Sequence, residues 1–266
     1  MSYEVELTGR LAREALSAGE GEVCALFRRS FYLRCPGGRY ACIGDASLGR
    51  GPLNALTREF CAPAIGEQIV VSLDNAEAWS PPSVAVQDVA DLQGLKSAAA
   101  GRAPREGLGC LVAGERNAFS THARPALEAL ERWLLGSALA SEAAQLVGLG
   151  PGLTPSGDDY LGGMLIALRT CGRGAQADAL WRWLEPRLEL GTSALSGAHL
   201  AAAAAGEAHE VLHECLRALA GRRANWPELL ARVDGVGHCS AWDGLAGIAA
   251  VMKCCPGGLI RLATAS

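Results

Sequence analysis

Apolar positions change their spacing part-way along the chain. Between about Gly21 and Val89 they fall in short runs bounded by turn residues, Val23–Phe27, Phe31–Arg34, Tyr40–Ile43, Ile69–Leu73 and Ala76–Trp79, which predicts β-strands. Pro36-Gly37-Gly38 and Asp74-Asn75 stand where hairpin turns belong, because Gly and Asn tolerate the positive φ such turns need. A small antiparallel β-sheet or barrel is expected there. From about Ala98 onward the chain is rich in Ala, Leu, Glu and Arg, and its apolar residues recur three and four apart. That spacing predicts helices over Pro125–Leu139, Ala175–Leu190, His199–Ala220 and Pro227–Val233. The fold class read from this pattern is α+β. A mainly antiparallel β domain is expected over residues 1–93 and a mainly α-helical bundle over 94–266, with the glycine-rich stretch Gly94–Gly114 as connector.

Composition narrows the partners. Half of the 266 residues are apolar and a fifth are charged, which is the balance of a globular chain. A formal charge of −4 without a dense Lys/Arg run argues against nucleic acid and anionic membrane surfaces, and leaves a small molecule or another protein. The ten cysteines sit in apolar contexts such as Val23-Cys24-Ala25 and Glu214-Cys215-Leu216 and read as reduced thiols. No CxxC pair occurs, and Cys254-Cys255 beside Pro256 has no second half at zinc spacing, so structural zinc is not expected. The acidic N-terminus MSYEVEL does not resemble a signal peptide and no run is long enough to span a bilayer, which makes the cytoplasm the expected location.

The chemistry concentrates in two glycine-flanked helix starts. Gly148-Leu-Gly-Pro-Gly-Leu-Thr-Pro-Ser-Gly-Asp-Asp159 runs directly into the apolar Tyr160–Leu168. Thr154 before Pro155 fits an N-cap with proline at the first helical position, and Ser156 three residues before Asp159 fits a capping box. Glycines let backbone N–H groups crowd toward one point at a helix N-terminus, which suits an oxyanion such as phosphate, carbamate or carboxylate. Asp158 and Asp159 complicate that picture. A magnesium ion carried with a phosphate-bearing ligand would reconcile the two charges, although two carboxylates at a helix start also serve simply as caps.

A second segment, Gly235-Val-Gly-His-Cys-Ser-Ala-Trp-Asp-Gly-Leu-Ala-Gly247, repeats the design. Laying Ser156 on Ser240 places Asp159 on Asp243, Leu161 on Leu245 and Gly163 on Gly247, with small residues at Gly162 and Ala246. Small residues on one face allow the two helices to cross closely, bringing both N-termini to one pocket and His238 near Asp158. A third start, Gly191-Thr-Ser-Ala-Leu-Ser-Gly197, supplies Thr192, Ser193 and Ser196, which capping alone explains, and His199 is peripheral. His209-Glu-Val-Leu-His213 matches HExxH literally, but the apolar face through Val211, Leu212, Cys215 and Leu219 puts both imidazoles on its flank. A zinc hydrolase is therefore only a minor alternative.

The stretches GLGPGLTPSGDD and GHCSAWDGLAG, together with LFRRSFYLRC, GRGPLNAL and GEQIVVSLDNAEAWSP, resemble the AllH-like family, named for a subunit of oxamate carbamoyltransferase. The resemblance implies a part in converting oxalurate and phosphate to oxamate and carbamoyl phosphate, in the breakdown of purine-derived allantoin, beside unlike partner subunits. Position by position it implies Asp158, Asp159 and His238 as catalytic residues, and Gly150, Gly152, Thr154, Ser156, Gly157, Ser240 and Asp243 as ligand-binding residues. Cys239, Ala241 and Arg50 depart from the family pattern. Two other readings stay open: a subunit that senses a ligand or assembles the complex without doing chemistry, and a pair of purely structural caps.

Overall fold

The structure is a computed structural model and describes residues 2–82, 91–221 and 224–254. The end of the predicted β region at Val89, and the Cys255-Pro256 pair, lie outside the described residues. The chain divides into two compact units, one of residues 1–82 with 207–210, the other of 83–206 with 211–266.

The first unit is a closed barrel. Its elements are β1 (Ser2–Gly9), α1 (Arg10–Leu16), β2 (Glu20–Leu26), β3 (Ser30–Cys35), β4 (Arg39–Gly44), β5 (Asn54–Thr57), β6 (Gln68–Ser72) and β7 (Glu77–Trp79). The strands run in the order β5-β4-β3-β2-β6-β1-β7, and pairing of β1 with β5 closes six of them, which removes the open edges a flat sheet would present. Tyr3 and Val5 of β1 point inward while Glu4 and Glu6 point out. Phe31, Leu33, Ile43 and Ile69 join them in the interior, completed by Ala12, Ala15 and Leu16 of α1.

The Pro36-Gly37-Gly38 turn connects β3 and β4 as an antiparallel hairpin, with φ of 77° at Gly37 and 71° at Gly38. Asp74-Asn75 does something else. Both β6 and β7 pair parallel to β1, Tyr3 with Val71 and then Thr8 with Ala78, so this turn is a jog between two strands of one direction, not a hairpin. The Ser72 hydroxyl donates to Asp74 at 2.9 Å and the Ala76 N–H donates to the Leu73 carbonyl at 3.1 Å, which holds the jog. With β4–β5 also parallel, the barrel is of mixed direction.

The second unit comprises α2 (Leu92–Ala99), α3 (Ala118–His122), α4 (Arg124–Leu134), α5 (Ser156–Thr170), α6 (Gly174–Gly191), α7 (Ala194–Ala204), α8 (Glu210–Ala220), α9 (Trp226–Val233) and α10 (Ser240–Lys253). The helix expected over His199–Ala220 is broken, because Gly206 turns at φ 87° and residues 207–210 join the barrel unit. There Arg10 pairs with Glu207 at 2.6 Å and the Glu210 N–H donates to the Arg50 carbonyl at 2.8 Å. The expected connector Gly94–Gly114 contains most of α2 and buries Leu95, Leu108 and Cys110, so much of it is core. Helices α5 and α10 are apolar nearly all round and form the most extensive helix pair. Among the described residues no helix is long and apolar enough to cross a membrane.

Candidate functional site

The crossing of α5 and α10 is set by glycine. A Cβ at Gly163 would lie 1.9 Å from the Gly244 carbonyl oxygen, and one at Gly247 would lie 2.0 Å from that of Tyr160. In the alignment of Ser156 on Ser240, Gly163 corresponds to Gly247 and Tyr160 to Gly244. The contact is therefore reciprocal: each helix sets its glycine against the same backbone position of the other. Close packing of this kind brings the two helix starts together, as the small residues at these positions lead one to expect.

At those starts the side chains reciprocate too. The Ser240 hydroxyl lies near enough to the Asp159 carboxyl, and the Ser156 hydroxyl near enough to that of Asp243, to favour each charged form. Each helix thus lends its first hydroxyl to the other's fourth residue. The two carboxyls differ in what else they receive. Asp243 is 1% exposed and accepts from the backbone N–H groups of Leu108 at 2.6 Å and Gly109 at 2.9 Å. Asp159 receives no such pair, and its buried Oδ2 has no hydrogen-bond partner. Burial pushes the Asp159 carboxyl well above the ordinary range; Asp243 and Asp158 add to the shift while Ser240 and Thr154 oppose it. Burial also raises Asp243, to about 6, against its hydrogen bonds from Ser156, Leu108 and Gly109.

Asp158 faces a different direction. It is 1% exposed and accepts from the Gly148 N–H at 2.8 Å, the Ser196 hydroxyl at 2.6 Å and the Thr192 hydroxyl. The third helix start, α7, is thereby tied to the base of the 148–157 loop. Ser193 caps α7 by accepting from the Ser196 N–H at 3.0 Å and donates to the Leu153 carbonyl at 2.6 Å. The loop reaches this shape through positive φ at Gly148, Gly150 and Gly152. Gly157 packs on the Leu146 carbonyl, where a Cβ would lie at 2.0 Å. Pro155 rather than Thr154 is the N-cap residue and the Thr154 hydroxyl is turned to Ser240 at 3.0 Å; Ser156 is already the first helical residue, so it does not form the expected capping box with Asp159. Several loop donors are spent locally: the N–H of Gly157 on the Leu149 carbonyl, those of Asp158 and Asp159 on that of Pro155.

His238 stands at the exposed rim, its Nε2 3.0 Å from the Glu106 carboxylate, while the hydrogen bonds of Asp158 run to the α7 side. Cys239 is half-buried beside it, its thiol pushed up to about 11 by burial and by Asp243, Glu106 and Asp159. Glu106, His238 and Cys239 bring one ligand atom each within 4.8 Å of one another, and among the described residues no other cluster of that kind occurs.

The predicted residues thus divide. Thr154, Ser156, Asp159, Ser240 and Asp243 meet at the helix crossing, with His238 at its rim. Gly150, Gly152 and Gly157 shape the loop, and Asp158 anchors α7. Three contributors lay hidden in the expected connector: the N–H groups of Leu108 and Gly109, and the carboxylate of Glu106. The Gly107-Leu-Gly109 spacing was the available signal, since a Cβ on Gly107 would lie 2.6 Å from Asp243 and one on Gly109 2.7 Å from Trp242. The HExxH residues do not form a helical ligand pair. His209 precedes α8 and bonds the Leu48 carbonyl at 2.9 Å, Glu210 accepts from the Arg50 N–H at 3.1 Å, and His213 is buried.

No match was found among curated proteins or among solved structures. A family model does match, over residues 146–252, which is less than half of the chain but runs from the 148–157 loop through α10 almost to its end. That family is described as oxamate carbamoyltransferase subunit AllH, and over these residues, which hold both glycine-flanked helix starts, the chain is similar to it.

Proposed function

We propose that this chain is a subunit of an oxamate carbamoyltransferase-like enzyme and that the α5–α10 crossing binds its small anionic substrate. The family's name is that of a subunit, which supports unlike partner chains. The single observation that carries the site is Asp159: a carboxyl with one buried oxygen lacking any partner, where its counterpart Asp243 is fully engaged. A buried polar atom without a partner costs about 1–3 kcal/mol, and a ligand that supplies the partner recovers it.

Its raised pKa gives the direction of that bond. Burial favours the protonated form of this carboxyl, whose O–H donates, so in that form Asp159 would hydrogen-bond a carbonyl or carboxylate oxygen of the substrate. A donor of this kind suits an anionic ligand without calling on magnesium. Thr154 and Ser240 supply hydroxyls beside it, and His238, steered by Glu106, carries a proton at the rim. Asp158 acts as a positioning residue through Thr192 and Ser196.

The test is a calorimetric titration of the chain with oxamate, oxalurate and carbamoyl phosphate across pH. Binding should weaken as pH rises and Asp159 ionises. Asp159→Asn, which keeps a donor, should hold affinity within about tenfold, while Asp159→Ala should lose at least that much. Equal affinity for Asp159→Ala and the parent chain would overturn the placement. Turnover of oxalurate and phosphate is then measured with the partner subunits added; saturable binding with no turnover in that mixture would favour a sensing or assembly subunit.

A further inference from the structure

The structure assigns a divalent transition-metal site, of zinc chemistry, to Glu106, His238 and Cys239 at the rim of the helix crossing. Three observations meet there. The donor set is a carboxylate oxygen, an imidazole nitrogen and a thiol sulfur, the mixture that suits zinc and excludes a preference for magnesium or calcium. The three atoms all lie within 4.8 Å of one another, and Glu106 and His238 are already at 3.0 Å. Tetrahedral zinc, with its bonds of about 2.0–2.3 Å, places neighbouring ligand atoms about 3.3–3.7 Å apart, so small side-chain rotations close the set.

The third observation is the surrounding charge. Asp159 and Asp243 lie close enough to act on the Cys239 thiol along with Glu106, and no cationic side chain is among the groups acting on it. Three carboxylates around one point favour a cation there. A metal supplies the cation and takes the thiol's proton in exchange for a metal–sulfur bond. The elements that hold the ligands are fixed independently. Leu108 and Gly109, just past Glu106, are bonded to Asp243 of α10, while Cys239 is the N-terminal boundary residue of α10 and its carbonyl accepts the Asp243 N–H.

Three protein ligands leave a fourth position open, which is the arrangement of a zinc ion that receives water or substrate oxygen rather than one that only braces a fold. Because Asp159 is among the groups that act on Cys239, the site adds an oxygen-seeking centre close to the proposed substrate pocket. With metal bound, His238 is a ligand and not a proton carrier. The assignment itself rests on the donor geometry and stands whether or not the carbamoyl-transfer reading does.

The experiment uses the full chain and the metal alone. After equilibration with zinc and desalting, mass-spectrometric metal analysis should find about one zinc per chain. Cobalt in its place should give a sulfur-to-metal charge-transfer band that is absent in Cys239→Ser. His238→Ala and Glu106→Gln, both exposed and tolerant of change, should each weaken zinc by at least about tenfold, the scale on which even outer-shell substitutions act. His209→Ala should leave affinity unchanged. Substoichiometric zinc, cobalt bound without the sulfur band, or affinity that falls only with His209→Ala would each overturn the site. None of these readouts involves oxalurate, so failure here is distinguishable from failure of the proposed function.

Discussion

The starts of α5 and α10 are built to one plan and finished differently. Both set a glycine against the partner's backbone, and both lend a serine to the partner's aspartate. At α10 the remaining acceptor capacity of Asp243 goes to Leu108 and Gly109, and the position matching Asp158 is Trp242, buried at 1% exposure with its indole N–H on Asp234 at 2.8 Å. At α5 the matching position is Asp158, tied to α7, while Asp159 keeps an oxygen without a partner. The lesson is one of division: in one half of a symmetric frame the carboxyl is fully engaged by the protein itself, and in the other it keeps an oxygen without a partner.

The shared frame is tested most severely at its glycines. Gly163→Ala and Gly247→Ala each place a methyl about 2 Å from a carbonyl oxygen with backbone on both sides, so each should cost about 3 kcal/mol or more in urea unfolding. If one is tolerated while the other unfolds the chain, the two contacts are not equivalent. Next is the closed side of α5. Asp158→Ala strands donors from Gly148, Thr192 and Ser196 in the interior and should cost about 3 kcal/mol. Asp159→Asn removes only a desolvated acid and should be neutral or stabilising, so equal losses at the two aspartates would erase the distinction between them.

A smaller effect reports on Asp243 through pH. Its folded pKa of about 6 lies above the unfolded value, so its favourable contribution is complete below pH 4 and is lost as pH rises toward 6. A rise of that size is worth about 3 kcal/mol at most. The difference in unfolding free energy between the parent chain and Asp243→Asn should fall by up to that amount between pH 4 and pH 7. A flat difference would mean that the Leu108 and Gly109 hydrogen bonds keep the carboxylate charged throughout. The smallest effect is Ser193→Ala, which removes the α7 cap and its bond to Leu153; a thermal melt should show a loss of about 1 kcal/mol.

Much of this frame was legible in the sequence for a physical reason. Helices that cross at backbone contact need glycine or alanine at fixed spacing, and the match of SGDDYLGG with SAWDGLAG displays that spacing directly. The hydroxyls of Thr192 and Ser196 were equally visible but carried no sign of their partner, since capping accounts for any Ser or Thr at a helix start. The Leu108 and Gly109 donors left only the glycines around them as a trace, because a backbone N–H is common to nearly every residue and does not by itself mark a site. In the barrel, β1 announces itself by its alternation of Tyr3 and Val5 with Glu4 and Glu6, whereas the jog at Asp74-Asn75 uses the same residue types as a hairpin turn. Only pairing with β1 distinguishes the two.

Reciprocity of contact, in which position i of one element meets j of another while j meets i, is the signature of a two-fold homodimer interface. Here Gly163 with Gly244 and Gly247 with Tyr160 carry that signature inside one chain. A dimer of identical chains must change both copies at once, so an aspartate gained on one side is gained on the other. With both copies on one chain that constraint is lifted, and the exchange of Asp158 for Trp242 is the kind of asymmetry that only such an internal pair can acquire.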